Sequence, residues 1–441
     1  MKPVSVGVIG LGTVGAGTVD VLRRNGEEIS RRAGREIKVT RAAVRDLARS
    51  RDCNTAGISL TANPHEIVED PEIDVVIELI GGCDVAFDLI SAALDHGKHV
   101  VTANKALIAT RGNEIFHQAS SAGLVVAFEA AVAGGIPVIK VLREGLAGNR
   151  VERLVGILNG TCNFILSGMQ DDRSDYAEVL LKAQANGYAE ADPSVDVQGV
   201  DAAHKLTILA SIAYGVHLDF KSVHVEGISD ITQDDIIYAR ELGYRIKHLG
   251  IARRLPNGLD LRVHPCLVGD DHLLSSVSGV MNAIVVNGDA VGETLLYGAG
   301  AGAQPTASAV IADLVDVVRT LTSDPGNRVP HLAFQPAALA APGIVPLSEI
   351  VCAHYLRLTV DDRPGVLADI TRILGDYQVS IEAIRQQGSA DALGNVPVVI
   401  VTHRALEANV AMAVLEIEAL STIARAATRI RLETLEIFVD E

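Results

Sequence analysis

The stretch Val4-Ser5-Val6-Gly7-Val8-Ile9-Gly10-Leu11-Gly12-Thr13-Val14-Gly15 decides the fold. The β-branched run Val4, Val6, Val8 and Ile9 reads as a short strand that Gly10 interrupts, and a helical pattern follows through Val21 and Leu22. Strand, glycine turn and helix in that order give the Gly10, Gly12, Gly15 spacing a mechanism. Gly10 permits the tight turn, Gly12 lets backbone approach a pyrophosphate, and Gly15 lets helix and strand pack closely. The helix N-terminus at Thr13 and Val14 attracts the anion.

Working outward, a second strand over 37–44 runs into Arg45-Asp46, where a dinucleotide fold meets the adenosine ribose. Arg45 suits a 2′-phosphate and Asp46 a free 2′-hydroxyl; Arg45 comes first after the strand, which favours NADP over NAD. The alternative is that both are solvated turn residues. A third buried strand over 74–80, Gly81-Gly82, a helix over 85–96 and a strand over 99–101 follow. This alternation predicts a parallel sheet whose ligand lies beyond the carboxyl ends of the strands, where Gly81 and Thr102-Ala103-Asn104-Lys105 fall. Lys105 is therefore a site candidate, set against an ordinary surface lysine at a helix start.

A further strand over 124–127 leads to the small-residue loop Glu129-Ala-Ala-Val132-Ala-Gly134-Gly-Ile136-Pro137. One carboxylate among freely pointing carbonyls suits a hard monovalent cation, and a sheet-crossing linker is the plainer reading. From Val151 the pattern changes to a strand over 151–158, the turn Asn159-Gly-Thr-Cys162-Asn and a helix over 176–186 ending at Gly187. The densest polar stretch, from Glu190 through Asp196 to Asp201 and Lys205, precedes a helix over 202–213. Asp201 and Lys205 are four apart and share a helical face. They make either an i,i+4 salt bridge of a few tenths of a kcal/mol, or a site with carboxylates for an ammonium group and a lysine acid.

A second glycine-rich turn, Gly298-Ala-Gly300-Ala-Gly302, feeds a helix carrying Val310, Leu314, Val317 and Leu321 on one face. It suits a second backbone wall for the cofactor. Five prolines between 323 and 350 mark a linker. The tail reads strand, helix, strand, strand, helix, strand, a ferredoxin-like βαββαβ unit, with Asp361-Asp-Arg-Pro364-Gly365-Val-Leu at its first strand-to-helix turn.

Composition narrows the function. With 38 basic and 55 acidic residues in 441, the net charge of −17 repels polyanions, so nucleic acid is excluded as a partner. Apolar residues make up 48% and aromatics 3%, so the cores must be aliphatic. The five cysteines have no C-x-x-C pair, which reads as reduced cytosolic thiols. The longest apolar region, 124–142, is broken by Glu129, Pro137 and Lys140, so no membrane span is expected and the protein reads as cytoplasmic.

Taken together, Gly10 to Gly15, Thr102 to Lys105, Glu129 to Pro137, Asn159-Gly-Thr-Cys-Asn-Phe164, Gly187-Tyr-Ala-Glu190 through Asp201 to Lys205, and Gly300-Ala-Gly302 resemble the homoserine dehydrogenase family. The Asp361 to Leu367 turn resembles the ACT amino-acid-sensing module. The resemblance covers essentially the whole chain and implies the single-function type, without a fused aspartate kinase. It implies an α/β architecture: a Rossmann domain over 1–137 completed by a helix near 305–322, an α+β substrate and dimerisation domain over 138–304, a linker over 323–350 and an ACT domain over 351–441. It further implies that Lys205 donates a proton, that Lys105 assists beside the nicotinamide, and that Glu190 and Asp201 hold the substrate amino group with Asp196 in support. Gly187, Gly302 and Thr102 would line the cofactor. Glu129's side chain and the carbonyls of Val132, Gly134 and Ile136 would hold sodium. Cys162 departs from the family's frequent threonine, which puts a hydroxyl role there in question.

The implied activity is NAD(P)H-dependent, reversible reduction of L-aspartate 4-semialdehyde to L-homoserine, in a homodimer or homotetramer that senses threonine through its tail. Two rivals remain: a dehydrogenase of another amino acid, and a non-catalytic amino-acid sensor. Both intact lysines weigh against the sensor.

Overall fold

The computed structural model describes residues 2–386 and 394–433, so residues 387–393 and 434–441 of the expected ACT domain lie outside the described residues. The chain forms two compact units. The first comprises Met1–Leu158, Asp201–Val223 and Met281–Pro342; the second comprises Asn159–Val200, His224–Val280 and Gly343–Glu441.

In the first unit the strands Ser59–Thr61, Ile37–Ala43, Val4–Ile9, Val75–Glu78, His99–Thr102 and Val126–Ala127 lie side by side in that order, all parallel. Sequence order reverses between Val4–Ile9 and Val75–Glu78, which makes a crevice at their carboxyl ends the natural ligand site. Helices cover both faces, so the first strand is almost wholly buried: its one polar side chain, Ser5, meets the Thr40 hydroxyl at 2.7 Å, and Val4, Val6 and Val8 are fully buried. Each such side chain contributes on the order of 1.5–3 kcal/mol of burial. The strand expected over 124–127 begins two residues late. Leu124 N–H instead closes the preceding helix on the Ala119 carbonyl, and Val125 N–H goes to the ring of His99.

Helix Ala303–Thr320 packs on helix Thr13–Arg24 in the same unit. A Cβ at Gly17 would sit 2.7 Å from the Ala303 carbonyl oxygen, so the two backbones approach as only glycine allows. The unit also holds an antiparallel sheet of Val151–Ile157, Met281–Gly288 and Gly292–Ala299.

In the second unit, helices Gly160–Asp172 and Tyr176–Ala185 share a core with the hairpin Tyr244–Leu255 and Gly258–Gly269. Strand Thr428–Leu432 pairs parallel with Gly258–Gly269 on one side and antiparallel with Val351–Asp361 on the other. Asn395–Thr402 and Ile381–Gln386 complete that sheet. The tail's spatial strand order, last, first, third, second, with helices Val366–Asp376 and Glu407–Glu418, is the expected ferredoxin-like unit. Ile370, Leu374, Val410 and Ile417 fill its core. Between 323 and 350 the prolines start short 3₁₀ turns at Pro325–Asn327 and Pro336–Ala338. Among the described residues no helix is long and apolar enough to cross a membrane.

Candidate active site

The crevice at the sheet's switch point is a cleft of ≈ 880 Å³ lined by Gly10, Gly12, Thr13, Arg45 and Gly81, among others. Gly10 has φ +102°, and a Cβ there would strike the Leu79 carbonyl at 2.8 Å. A Cβ on Gly15 would lie 2.0 Å from the Gly10 carbonyl oxygen, whereas one on Gly12 would meet nothing within 4 Å. Gly12 therefore keeps the cleft floor low, and Gly15 brings the helix onto the strand. Asp46 Oδ1 accepts from Ala48 N–H at 2.9 Å, so that carboxylate caps its own turn. Arg51 donates to the carbonyl oxygens of Asp46 and Arg49, and with Arg45 and Arg49 it gives this end of the cleft three guanidinium groups.

Thr102 is fully buried. Its hydroxyl donates to Glu78 Oε2 at 2.6 Å and accepts from Asn104 N–H at 3.0 Å. Glu78 Oε1 accepts from Ile80 N–H, and Asn104 donates to the Gly82 carbonyl while its Oδ1 caps helix Lys105–Ser121 through Leu107 N–H. The side chain of Thr102 thus shapes the two loops at the sheet's edge. Gly302, φ +117°, is the N-cap of helix Ala303–Thr320.

Asp201 joins the two candidate lysines. Its Oδ2 accepts from Lys205 Nζ at 2.7 Å and its Oδ1 lies 3.2 Å from Lys105 Nζ. Lys205 also donates to the Leu158 carbonyl at 2.7 Å, which accepts Asn282 Nδ2 as well at 3.0 Å. These partners account for two of the three ammonium N–H bonds. Lys205 is buried and Lys105 half-exposed. The pair is no exposed helix-surface salt bridge, because the Asp201 and Lys205 side chains are only 6% and 10% exposed.

The small-residue loop is buried from Glu129 through Gly134, and consecutive residues Ala133 and Gly134 take φ +56° and +49°. Glu129's two carboxylate oxygens accept from the N–H groups of Ile139 at 2.9 Å and Lys140 at 2.8 Å. Burial pushes its carboxyl up to about 7, against those hydrogen bonds.

In the second unit Asn159 donates from Nδ2 to Asp196 Oδ1 at 2.8 Å and caps helix Gly160–Asp172 with its Oδ1. The Cys162 thiol, fully buried, donates to the Asp196 carbonyl at 3.2 Å, so it keeps the donor that a threonine hydroxyl would offer. Gly187, φ +74°, ends helix Tyr176–Ala185, and Glu190 is exposed.

Three contributors have no role assigned from the sequence. Glu78 and Asn104 hold the sheet-edge loops as described. His204, ring to ring with Phe220 at 4.4 Å, sits within the field of Asp201, Lys105 and Lys205, and burial lowers its pKa. Only Asn104 had a sequence signal, its place one residue before a helix-starting lysine.

Residues 10–129 match the family model for the homoserine dehydrogenase NAD-binding domain, 137–315 the homoserine dehydrogenase model and 354–419 the ACT domain model. The homoserine dehydrogenase of Pseudomonas aeruginosa is 57% identical over 435 residues, covering 99% of this chain and 100% of its own. That of Neisseria gonorrhoeae is 51% identical, covering 99% and 100%. The crystal structure of a homoserine dehydrogenase from Thiobacillus denitrificans superposes with a TM-score of 0.94 at 58% identity, covering 99% of both chains. With a nicotinamide cleft, a carboxylate-bridged lysine pair and these full-length relatives, the chain belongs to the homoserine dehydrogenase family.

Proposed function

We propose that the chain reduces L-aspartate 4-semialdehyde to L-homoserine reversibly, with NADP preferred over NAD, Lys205 as the proton donor and Lys105 assisting. The bridging of both lysines by Asp201 carries this reading. Reduced nicotinamide, when bound, supplies the hydride to the aldehyde carbon. Negative charge then grows on the oxygen, and the Lys205 ammonium, held by Asp201 and the Leu158 carbonyl, has its third N–H to give. Glu190 and Asp201 receive the substrate ammonium with Asp196 in support, and the Asn159 and Cys162 hydrogen bonds keep Asp196 in place.

Gly10, Gly12, Thr13, Val14 and Gly15 hold the pyrophosphate. Arg45 pairs with the 2′-phosphate, and Thr102, Gly187 and Gly302 complete the cofactor's surroundings. A sodium ion fits the turned loop through Glu129 and the carbonyls of Val132, Gly134 and Ile136; its charge would compensate the buried carboxylate. We further assign 1–137 with the helix near 305–322 to cofactor, 138–304 to substrate and 351–441 to regulation by threonine, in a cytoplasmic homodimer or homotetramer. Initial rates with L-homoserine and NAD or NADP test the assignment, and a rate with NAD equal to or above that with NADP overturns the cofactor preference.

A further inference from the structure

Arg431, on the last described strand, is 1% exposed yet carries its charge into the interior of the second unit. It donates from Nη1 to Glu226 Oε2 at 2.8 Å, and from Nε and Nη2 to the two oxygens of Glu407 at 3.1 and 2.8 Å. Glu407 begins the second tail helix, whereas Glu226 follows the short strand His224–Val225 on the edge of Gly258–Gly269. One guanidinium therefore ties the tail module to the substrate domain. A buried ion held at three points is costly to leave half-paired. Burial alone would raise the Glu226 carboxyl, but the hydrogen bonds of His224 and Arg431 hold it well below the usual range.

What Glu226 stands against gives the clamp its use. The Glu226 carbonyl accepts His248 Nε2 at 2.9 Å, and Ile228 N–H donates to the Val197 carbonyl at 2.8 Å. A Cβ on Gly227 would lie 2.4 Å from the Val197 carbonyl oxygen, and one on Gly199 would meet the Glu226 carbonyl at 3.1 Å. Segment 225–228 is thus the floor beneath 196–199, the turn that carries Asp196.

Next to Arg431, Cys352, His354 and Glu407 bring their ligand atoms within 4.8 Å of one another, the spacing of a metal site. His354 Nε2 meets Glu407 Oε2 at 2.8 Å, Arg431 and Arg429 both contact Glu407 Oε1, and His354 Nδ1 has no hydrogen-bond partner among the described residues. A metal-bound histidine normally anchors its second nitrogen, and two guanidinium groups repel a cation, so the cluster reads as an ion-pair network.

We propose that Arg431 is a positioning residue for substrate binding: by tying Glu226 to Glu407 it fixes the floor on which the Asp196 turn rests. The inference rests on the substrate role given to Asp196. Its test uses the full-length protein with Glu226→Gln and Arg431→Lys, and Glu226→Gln keeps the size of a half-exposed side chain should the second variant fold poorly. Expected is a rise of about tenfold in KM for homoserine, with kcat and the KM for the cofactor changed less than about twofold. An unchanged homoserine KM, or equal losses in kcat and both KM values, would overturn it. In an Asp196→Asn background, adding Glu226→Gln should change the homoserine KM by less than about twofold, because the two act on one path. Full multiplication of the two effects contradicts the proposal. Asp196→Asn alone reads the role of Asp196 itself, so failure of that role and failure of the Arg431 clamp are separated.

Discussion

Lys205 Nζ lies 2.7 Å from Asp201 Oδ2, one helical turn away, in a contact that burial removes from water. Such a pair holds the ammonium in one orientation. Lys205→Ala should lower kcat roughly 10²-fold or more, with cofactor affinity little changed. Stopped turnover with intact cofactor binding and thermal melting checks this; a near-normal kcat would leave the pair a structural salt bridge.

Arg45 shares its end of the cleft with Arg49 and Arg51, while Asp46 is turned into its own loop. Arg45→Ala should weaken NADP(H) by roughly tenfold more than NAD(H), because only the former offers a 2′-phosphate. Cofactor dissociation constants measured by fluorescence titration decide, and equal losses would remove the basis for an NADP preference.

His99 Nδ1 accepts Val125 N–H at 3.0 Å and His331 Nε2 accepts Val126 N–H at 3.2 Å, so both rings must stay neutral there. Burial pushes each down from 6.5 to about 4, with nearby arginines adding. The unfolded chain binds protons at these rings below 6.5 while the folded chain resists until about 4. Stability from them is therefore complete above 6.5 and is lost as pH falls from 6.5 to 4, by on the order of a few kcal/mol in all. Melting temperatures across that window should fall less steeply for His331→Gln than for the parent; parallel curves would contradict the assignment.

The turn at Pro364 and Gly365 opens the first tail helix with Gly365 at φ +96°, and a Cβ there would meet nothing within 4 Å. Threonine should shift homoserine kinetics by about 5- to 150-fold, the range of ordinary coupling energies. Gly365→Asp, which adds a carboxylate at this turn and strains its positive φ, should abolish the response while leaving unliganded rates within about twofold. Cutting the chain near Pro346 is a poorer test, since it strips Thr428–Leu432 from the edge of Gly258–Gly269. Unaltered threonine sensitivity in Gly365→Asp would place the sensor elsewhere.

The parallel sheet and the tail were legible because their signals are local: β-branched runs ended by glycine, and a helix period restarting at Pro364. The strand order of the cofactor sheet, by contrast, has no local mark in the sequence. Lys105 and Asp201 are 96 positions apart in the chain, so their meeting was not available from spacing, and only the family resemblance put both in one site. Glu78 was read simply as part of a buried strand, yet its carboxylate organises two loops through Thr102 and Ile80. The hairpin at 244–269 buries charged residues such as Lys247, Asp260 and Arg262 among its apolar ones, and that at 281–299 has only the short apolar run 283–286, so neither shows a clean period. The sharing of Thr428–Leu432 between the tail and Gly258–Gly269 is a tertiary choice with no sequence mark.

The step on which the proposed activity turns is hydride exchange with homoserine under proton transfer by Lys205. It is tested most directly by following reduced-nicotinamide absorbance with pure protein, L-homoserine and NADP at alkaline pH, for the parent and Lys205→Ala side by side. Expected is a rise that requires both substrates and that falls roughly 10²-fold or more in the variant. No rise in the parent, or the same rise in Lys205→Ala, would contradict it.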